Sequence, residues 1–169
     1  QSRSIAQEMG QRPSLGDSIK RRYNPIVIKL RRIEKPIIAA VNGVAAGAGA
    51  SVAFACDFRI VTEKTNFIQS FTKVGLIPDS GATFVLPRLI GLTKAFELML
   101  SADKLSAQEA QNLGVVNKIV AEEDLMKEAM ALAEKLAMGP TKAFGLTKRA
   151  VNKAIFDDLE ELLEYEAGL

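Results

Sequence analysis

The sequence predicts a mixed α/β fold in which a short helix joins two parallel strands. The order strand, helix, strand across residues 37–62 is the first observation behind this prediction, because such a crossover connects parallel neighbours in one sheet. The second is the helical periodicity of apolar residues from residue 123 onward. We therefore predict an α/β core over residues 1–120 and a C-terminal helical region over residues 121–169.

The first third of the chain is predicted to form a loop, a helix and this strand–helix–strand unit. Residues 1–16 are polar with Gly and Pro, which indicates a loop. Pro25 is expected to kink or split the helix that follows, and Lys35-Pro36 to end it, because proline lacks an amide hydrogen and restricts the residue before it. The unit itself is predicted as a strand at 37–41, a helix at 48–56 and a strand at 58–62.

Shorter elements are predicted for the rest of the core. Residues 66–77 alternate between extended pieces and turns, and Ser106 with Glu109 forms the capping-box pattern of a helix start. Pro87 and Gly91 are expected to separate two helices. The predicted bounds are helices at 80–86 and 93–102, a strand at 115–120, and helices at 123–138, 140–154 and 158–166.

The composition narrows the classes of function. With 48% hydrophobic residues, 25% charged residues and a net charge of +2, the chain is typical of a globular protein and shows no basic nucleic-acid face or polybasic membrane segment. No apolar run is long enough to cross a bilayer, and no signal-peptide pattern opens the sequence. The lone cysteine, Cys56, fits a reducing compartment, so we predict a cytoplasmic protein without nucleic-acid or membrane partners.

The absence of histidine restricts the available chemistry. It removes Ser–His and Cys–His nucleophile systems and most zinc sites, so acid–base work falls to carboxylates, lysines or tyrosines. We predict an active site that needs no metal. Among the carboxylates, Asp57 is expected to satisfy backbone groups at the end of an element, and Cys56 beside it to be a buried core residue.

The Gly/Ala-rich segment between the two strands admits three interpretations. Gly47-Ala48-Gly49 after a strand, with Glu63 near the end of the next strand, would suit a dinucleotide site, but Val52 stands where that fingerprint needs its third glycine. Small residues also allow a helix and a strand simply to pack closely. In the third interpretation, the amides of Ala48 and Gly49 form an oxyanion hole at a helix N-terminus.

Three longer segments carry a family resemblance: KPIIAAVNGVAAGAGASVAFACDFRI, NFIQSFTKVGLIPDSGATFVLPRLIG and LSAQEAQNLGVVNKIV. In order and spacing, over about residues 23–136, they resemble the enoyl-CoA hydratase/isomerase (crotonase) superfamily. The resemblance implies a crotonase-type ββα spiral core with a C-terminal helical region, and a chain that lacks the family's N-terminal portion and last helix. Tyr23-Asn24-Pro25 and the turn Pro78-Asp79-Ser80-Gly81 look most like the ring-isomerase branch of phenylacetate breakdown.

The same resemblance implies roles for individual residues. The amide of Ala48 would donate to the thioester oxygen of the substrate in the oxyanion hole. Ser51 and Phe71 stand where family hydratases carry their two glutamates, and Asp79 stands where family isomerases carry an acid–base aspartate. From the residues alone, the N-cap of a helix is the favoured role of Asp79, and only the resemblance favours the acid–base role. The residues predicted to contact substrate are Gly47, Gly49, Ser51, Phe71 and Ile77.

The implied activity is isomerisation of an acyl-CoA through a thioester enolate. Conversion of 1,2-epoxyphenylacetyl-CoA to its oxepin isomer is the first expectation, in phenylacetate catabolism, and a double-bond shift in an enoyl-CoA, as in fatty acid metabolism, is the second. An enoyl-CoA hydratase and a non-catalytic protein of this fold are the alternatives. Coenzyme A is expected only as part of the substrate, and the assembly as a homotrimer or a hexameric dimer of trimers built through the C-terminal helices.

Overall fold

The computed structural model of the chain describes residues 19–154. The loop predicted for residues 1–16 and the helix predicted for 158–166 lie outside these residues. The described part opens with a π-helical turn, Ile19–Tyr23, followed by helix α1, Asn24–Arg32, which has Pro25 in its first turn. The split predicted at Pro25 is therefore confirmed, since proline is tolerated where the amide hydrogen has no helical partner.

Within the described residues the chain forms six short strands and, after α1, six further α-helices. The strands are β1 Ile38–Val41, β2 Val44–Ala46, β3 Phe58–Thr62, β4 Asn66–Ile68, β5 Lys104–Ser106 and β6 Lys118–Val120. The helices are α2 Ala48–Ala55, α3 Ala82–Ile90, α4 Leu92–Ser101, α5 Ala107–Asn112, α6 Leu125–Ala137 and α7 Thr141–Ala154. None of these helices is long and apolar enough to span a membrane.

The strands form two three-stranded sheets. The first has the order β1-β3-β6, and both of its pairs are parallel. In it, β1 and β3 align from Ile38 opposite Phe58 to Val41 opposite Val61, which confirms the predicted parallel pair. The second sheet has the order β2-β4-β5, with β2 parallel and β5 antiparallel to β4.

The sequence does not predict the strand β2, because its three residues lie within a Gly/Ala-rich run and include too few β-branched residues to indicate a strand. Its pairing is with β4, more than twenty residues away, where Ala46 lies opposite Ile68. Beyond that register the amide of Gly47 donates to the carbonyl of Ile68 at 2.8 Å. The Gly/Ala turn is thus fixed to the end of β4 before α2 begins.

Helix α2 packs in the main core, which lies between the two sheets and α3. The ring of Phe54 on α2 lies against that of Phe67 on β4, with centroids 5.0 Å apart. A second cluster joins α6 to the first sheet through Ile60, Val120, Leu125 and Ala129. Helix α6 therefore packs directly on the α/β core, and buried apolar surface between them stabilises both.

Of three local predictions, one is confirmed, one is wrong and one is correct for only part of its range. The capping box is confirmed, because Ser106 Oγ accepts from the Glu109 amide while the Glu109 carboxylate accepts from the Ser106 amide. The break predicted at Pro87 is wrong: α3 runs through it to Ile90, because packing of α3 on α2 outweighs one lost helical hydrogen bond. The strand predicted at 115–120 is shortened to Lys118–Val120, since the amides of residues 115 and 116 donate to the Ala110 carbonyl.

Candidate active site

The Gly/Ala turn has a backbone geometry that only glycine adopts easily. Gly47 has φ of 52° and ψ of −123°, and a Cβ built on it would lie 3.4 Å from Ser70 Oγ and 3.6 Å from Phe71 Cζ. Positive φ with this ψ is strained for any residue with a side chain. The glycine therefore lets the chain leave β2 and enter α2 directly, with the Phe71 ring against the turn.

The first turn of α2 offers backbone amides without protein partners. No acceptor among residues 19–154 bonds the amides of Ala48 or Gly49, whereas the amide and the hydroxyl of Ser51 both donate to the Gly47 carbonyl at 3.1 Å. Free amides at a helix N-terminus carry partial positive charge and favour an anion or a polarised carbonyl oxygen. This geometry supports the oxyanion-hole interpretation of the segment.

The side chains around this turn leave little room for a second acid. Ser51 and Phe71 are both buried, and the Ser51 hydroxyl is already committed to the Gly47 carbonyl. The dinucleotide interpretation gains no support, because α2 has only eight residues and Glu63 is exposed. The structure thus brings Gly47, Ala48, Ser51 and Phe71 together at the start of α2.

Asp79 lies in the turn that leads into α3. Its Oδ1 accepts a hydrogen bond from Ser80 Oγ at 2.7 Å, and no donor among the described residues reaches Oδ2. The N-cap of α3 is Gly81, without a side-chain cap, so the alternative role of Asp79 as helix cap is wrong. Left-handed φ angles at Ser80 and Gly81 explain why α3 starts later than predicted and leave the Asp79 carboxylate outside the helix.

Ile77 differs from the other predicted substrate contacts. Its side chain is 82% exposed, and the neighbouring Leu76 and Val74 are also exposed. Asp79 itself is half-buried. Ile77 is therefore not covered by the described part of the chain, and its predicted contact with substrate stays a prediction.

Asp57 is a structural residue, as predicted. Its Oδ2 accepts from the Ile37 amide at 2.9 Å and from Lys148 Nζ at 2.6 Å, and its Oδ1 pairs with Arg31 at 3.3 Å. These contacts fix the start of the first sheet to α1 and α7. The buried core role of Cys56 is also confirmed, and burial raises the pKa of its thiol, which disfavours a thiolate nucleophile.

Arg59 is a residue that the sequence analysis missed. Its side chain is only 5% exposed, and its guanidinium donates to the carbonyls of Ala53, Phe54 and Cys56 at the end of α2 and to that of Val115. Burial lowers the pKa of Arg59 from its ordinary value. The cation donates to carbonyls at the C-terminus of α2 and complements the helix dipole, so it stabilises the helix whose first turn carries the free amides.

We expect Arg59→Met to lower the free energy of unfolding by about 3 kcal/mol, because it leaves several buried carbonyls without donors. Urea unfolding followed by circular dichroism would measure the change. The same substitution at the exposed Arg32 is the control and should change stability by less than about 0.5 kcal/mol. Equal losses for the two variants would contradict a capping role for Arg59.

Comparison with known proteins identifies the family to which this fold belongs. The chain matches the enoyl-CoA hydratase/isomerase family over residues 5–169. It is therefore a member of that family and has the crotonase fold. This confirms the resemblance carried by the three sequence segments.

Individual relatives include more than one activity. A 1,2-epoxyphenylacetyl-CoA isomerase of Escherichia coli (strain K12) is 44% identical over 157 residues, which are 93% of this chain and 60% of that protein. A short-chain-enoyl-CoA hydratase of Clostridium acetobutylicum is 37% identical over 85% of this chain and 55% of its own length. A 4-chlorobenzoyl coenzyme A dehalogenase of an Arthrobacter species is 35% identical over 85% of this chain and 52% of its own length.

Solved structures show the same fold. An enoyl-CoA hydratase from Polaromonas sp. JS666 superposes with a TM-score of 0.87 at 35% identity, covering 99% of this chain and 65% of that one. An enoyl-CoA hydratase from Bacillus anthracis gives a TM-score of 0.87 at 33% identity, with 97% and 64% coverage. The chain thus spans about three fifths of the length of these relatives.

Proposed function

We propose that the protein isomerises an acyl-CoA thioester, with Asp79 as its acid–base group and the Ala48 amide in its oxyanion hole. The proposal is carried by backbone amides at the start of α2 that have no acceptor among the described residues, and by an Asp79 carboxylate oxygen that no described donor reaches. No separate cofactor is required, because coenzyme A arrives as part of the substrate. The residues proposed to contact substrate are Gly47, Gly49, Ser51, Phe71 and Ile77.

The chemistry follows from the acidity of a carbon next to a thioester. When the thioester oxygen accepts a hydrogen bond from the Ala48 amide, charge that develops on that oxygen in the enolate is stabilised in advance. One such donor contributes about 3 kcal/mol to lowering the barrier. Asp79 then removes a proton from one carbon and returns it to another, so a single carboxylate completes the cycle.

Hydration is less well supported by the same residues. Addition of water to a double bond needs one group to activate water and another to deliver a proton. Ser51 is committed to the Gly47 carbonyl, and Phe71 has no titratable group. Asp79 would have to perform both steps alone.

The preferred substrate is a ring epoxide of phenylacetyl-CoA, converted to its oxepin isomer, and a double-bond shift in an enoyl-CoA is second. The 44% identity to the Escherichia coli isomerase supports this order, as does the Tyr23-Asn24-Pro25 sequence at the start of α1. We also propose a homotrimer or a dimer of trimers. The exposed Met126 and Met130 on α6 and Val151 on α7 supply apolar surface for such contacts.

Product analysis with three thioesters would test the proposal. The protein is incubated separately with 1,2-epoxyphenylacetyl-CoA, a 3-enoyl-CoA and crotonyl-CoA. The products are separated by chromatography, and their masses are determined by mass spectrometry. We expect the epoxide or the 3-enoyl-CoA, or both, to give a new product of unchanged mass. Crotonyl-CoA should gain water at a rate at least about tenfold lower than the rate of that isomerisation. Faster hydration would show a hydratase, and binding of all three without turnover would show a non-catalytic member of the family.

A further inference from the structure

Gln69 is a buried polar side chain that the fold leaves without a partner. It is only 3% exposed, and neither its Nε2 nor its Oε1 makes a hydrogen bond with any described residue. Buried amides are almost always paired, and leaving one unpaired opposes folding. Such a group therefore indicates that a polar atom from outside the described residues completes the site.

Gln69 lies in the segment whose neighbouring residues contact the Gly47 turn. Gln69 directly follows β4, whose last residue, Ile68, accepts a hydrogen bond from the Gly47 amide. The next two residues, Ser70 and Phe71, have side chains that lie against Gly47. Phe67, two residues earlier, packs on Phe54 of α2. Gln69 therefore lies at the level of the Gly47 turn, where α2 begins.

We propose that the Gln69 amide binds an oxygen substituent on the acyl group of the substrate and thereby selects oxygenated acyl-CoA thioesters over hydrocarbon ones. This proposal rests on the proposed function, whose preferred substrate carries an epoxide oxygen close to the thioester. The Nε2 group can donate to an ether, epoxide or hydroxyl oxygen, and Oε1 can accept from a hydroxyl. A hydrocarbon acyl group has no such oxygen and would leave both atoms of the Gln69 amide unpaired. The site should therefore bind hydrocarbon acyl groups more weakly than oxygenated ones.

Binding of two matched thioesters would test this assignment. Phenylacetyl-CoA and 2-hydroxyphenylacetyl-CoA differ by one ring oxygen next to the side chain, and isothermal titration calorimetry gives Kd for each. The wild-type protein should bind the hydroxylated ester at least about tenfold more tightly, as expected for one buried hydrogen bond. Gln69→Met keeps the length of the side chain and removes both polar atoms, so it should abolish this preference without weakening binding of phenylacetyl-CoA.

A matched control and a stability measurement separate specificity from structure. Gln108→Met, on the exposed surface of α5, should retain the wild-type preference. Thermal unfolding of Gln69→Met should occur at the same or a higher temperature, because an unpaired buried amide is replaced by an apolar side chain. A lower melting temperature together with weaker binding of both esters would overturn the proposal in favour of a structural role.

The remaining outcomes are equally decisive. A preference that persists in Gln69→Met would overturn the assignment and indicate that an ordered water satisfies the amide. If the preference disappears in Gln69→Met but neither the epoxide nor the 3-enoyl-CoA is isomerised in the product assay, Gln69 keeps its role and the proposed function fails. If neither ester binds the wild-type protein, the assignment of Gln69 fails, and the product assay alone decides the proposed function.

Discussion

Asp79→Asn is expected to reduce kcat for isomerisation by about 10³-fold while changing the Kd for acyl-CoA by less than threefold. Asparagine has the same size as aspartate, and its amide oxygen can still accept the hydrogen bond from Ser80 Oγ. The substitution therefore preserves the turn before α3 and removes only the group that accepts and returns the proton. Steady-state kinetics with the best thioester from the product assay would measure the loss.

The control for this variant is Asp103→Asn. Asp103 is an exposed carboxylate at the end of α4, where its backbone amide, not its side chain, bonds Ser101. The activity of Asp103→Asn should equal that of the wild-type protein. If Asp79→Asn retains more than about a tenth of wild-type kcat, Asp79 does not carry the proton and another group must be sought.

The parts of the fold that could be predicted from the sequence are those fixed by local patterns. The strand at Phe58–Thr62, the small-residue helix before it and the capping box at Ser106 depend on neighbouring residues, and all three agree with the structure. The strand β2 depends instead on pairing with β4, a contact that no local pattern shows. At Pro87 the local signal is strong, but tertiary packing of α3 prevails over it.

The candidate site shows the same division. The small-residue helix α2 and the amides at its start, Ala48 and Gly49, follow from the Gly/Ala composition of the sequence, although the strand β2 that leads into them does not. The roles of Arg59 and Gln69 do not, because each is defined by burial and by which partners it has or lacks in three dimensions. An arginine between apolar residues in Phe58–Thr62 was the available signal for Arg59, since such a strand predicts burial on both faces.

Ala48→Pro tests the oxyanion hole by replacing the Ala48 amide hydrogen with the Cδ of a proline ring. Ala48 is the first residue of α2, a position where proline is favoured, and its amide has no acceptor among the described residues. The preceding Gly47 already has ψ of −123°, so the clash that disfavours a helical residue before proline does not arise. We expect the protein to fold with unchanged stability while kcat falls by about 10²- to 10³-fold, the effect of losing one oxyanion donor.

The matched control for that variant is Leu92→Pro. Leu92 is also the first residue of its helix, α4, and it follows a glycine with positive φ, Gly91. Its side chain is exposed. Both variants remove one unpartnered amide at a helix start, so they should share any general effect on folding. Loss of kcat in Ala48→Pro alone, with the Kd for acyl-CoA unchanged, would assign the Ala48 amide to the reaction, because both variants exchange a helix-start amide hydrogen for a proline ring. Activity of Ala48→Pro within threefold of the control would show that this amide does not hold the enolate oxygen.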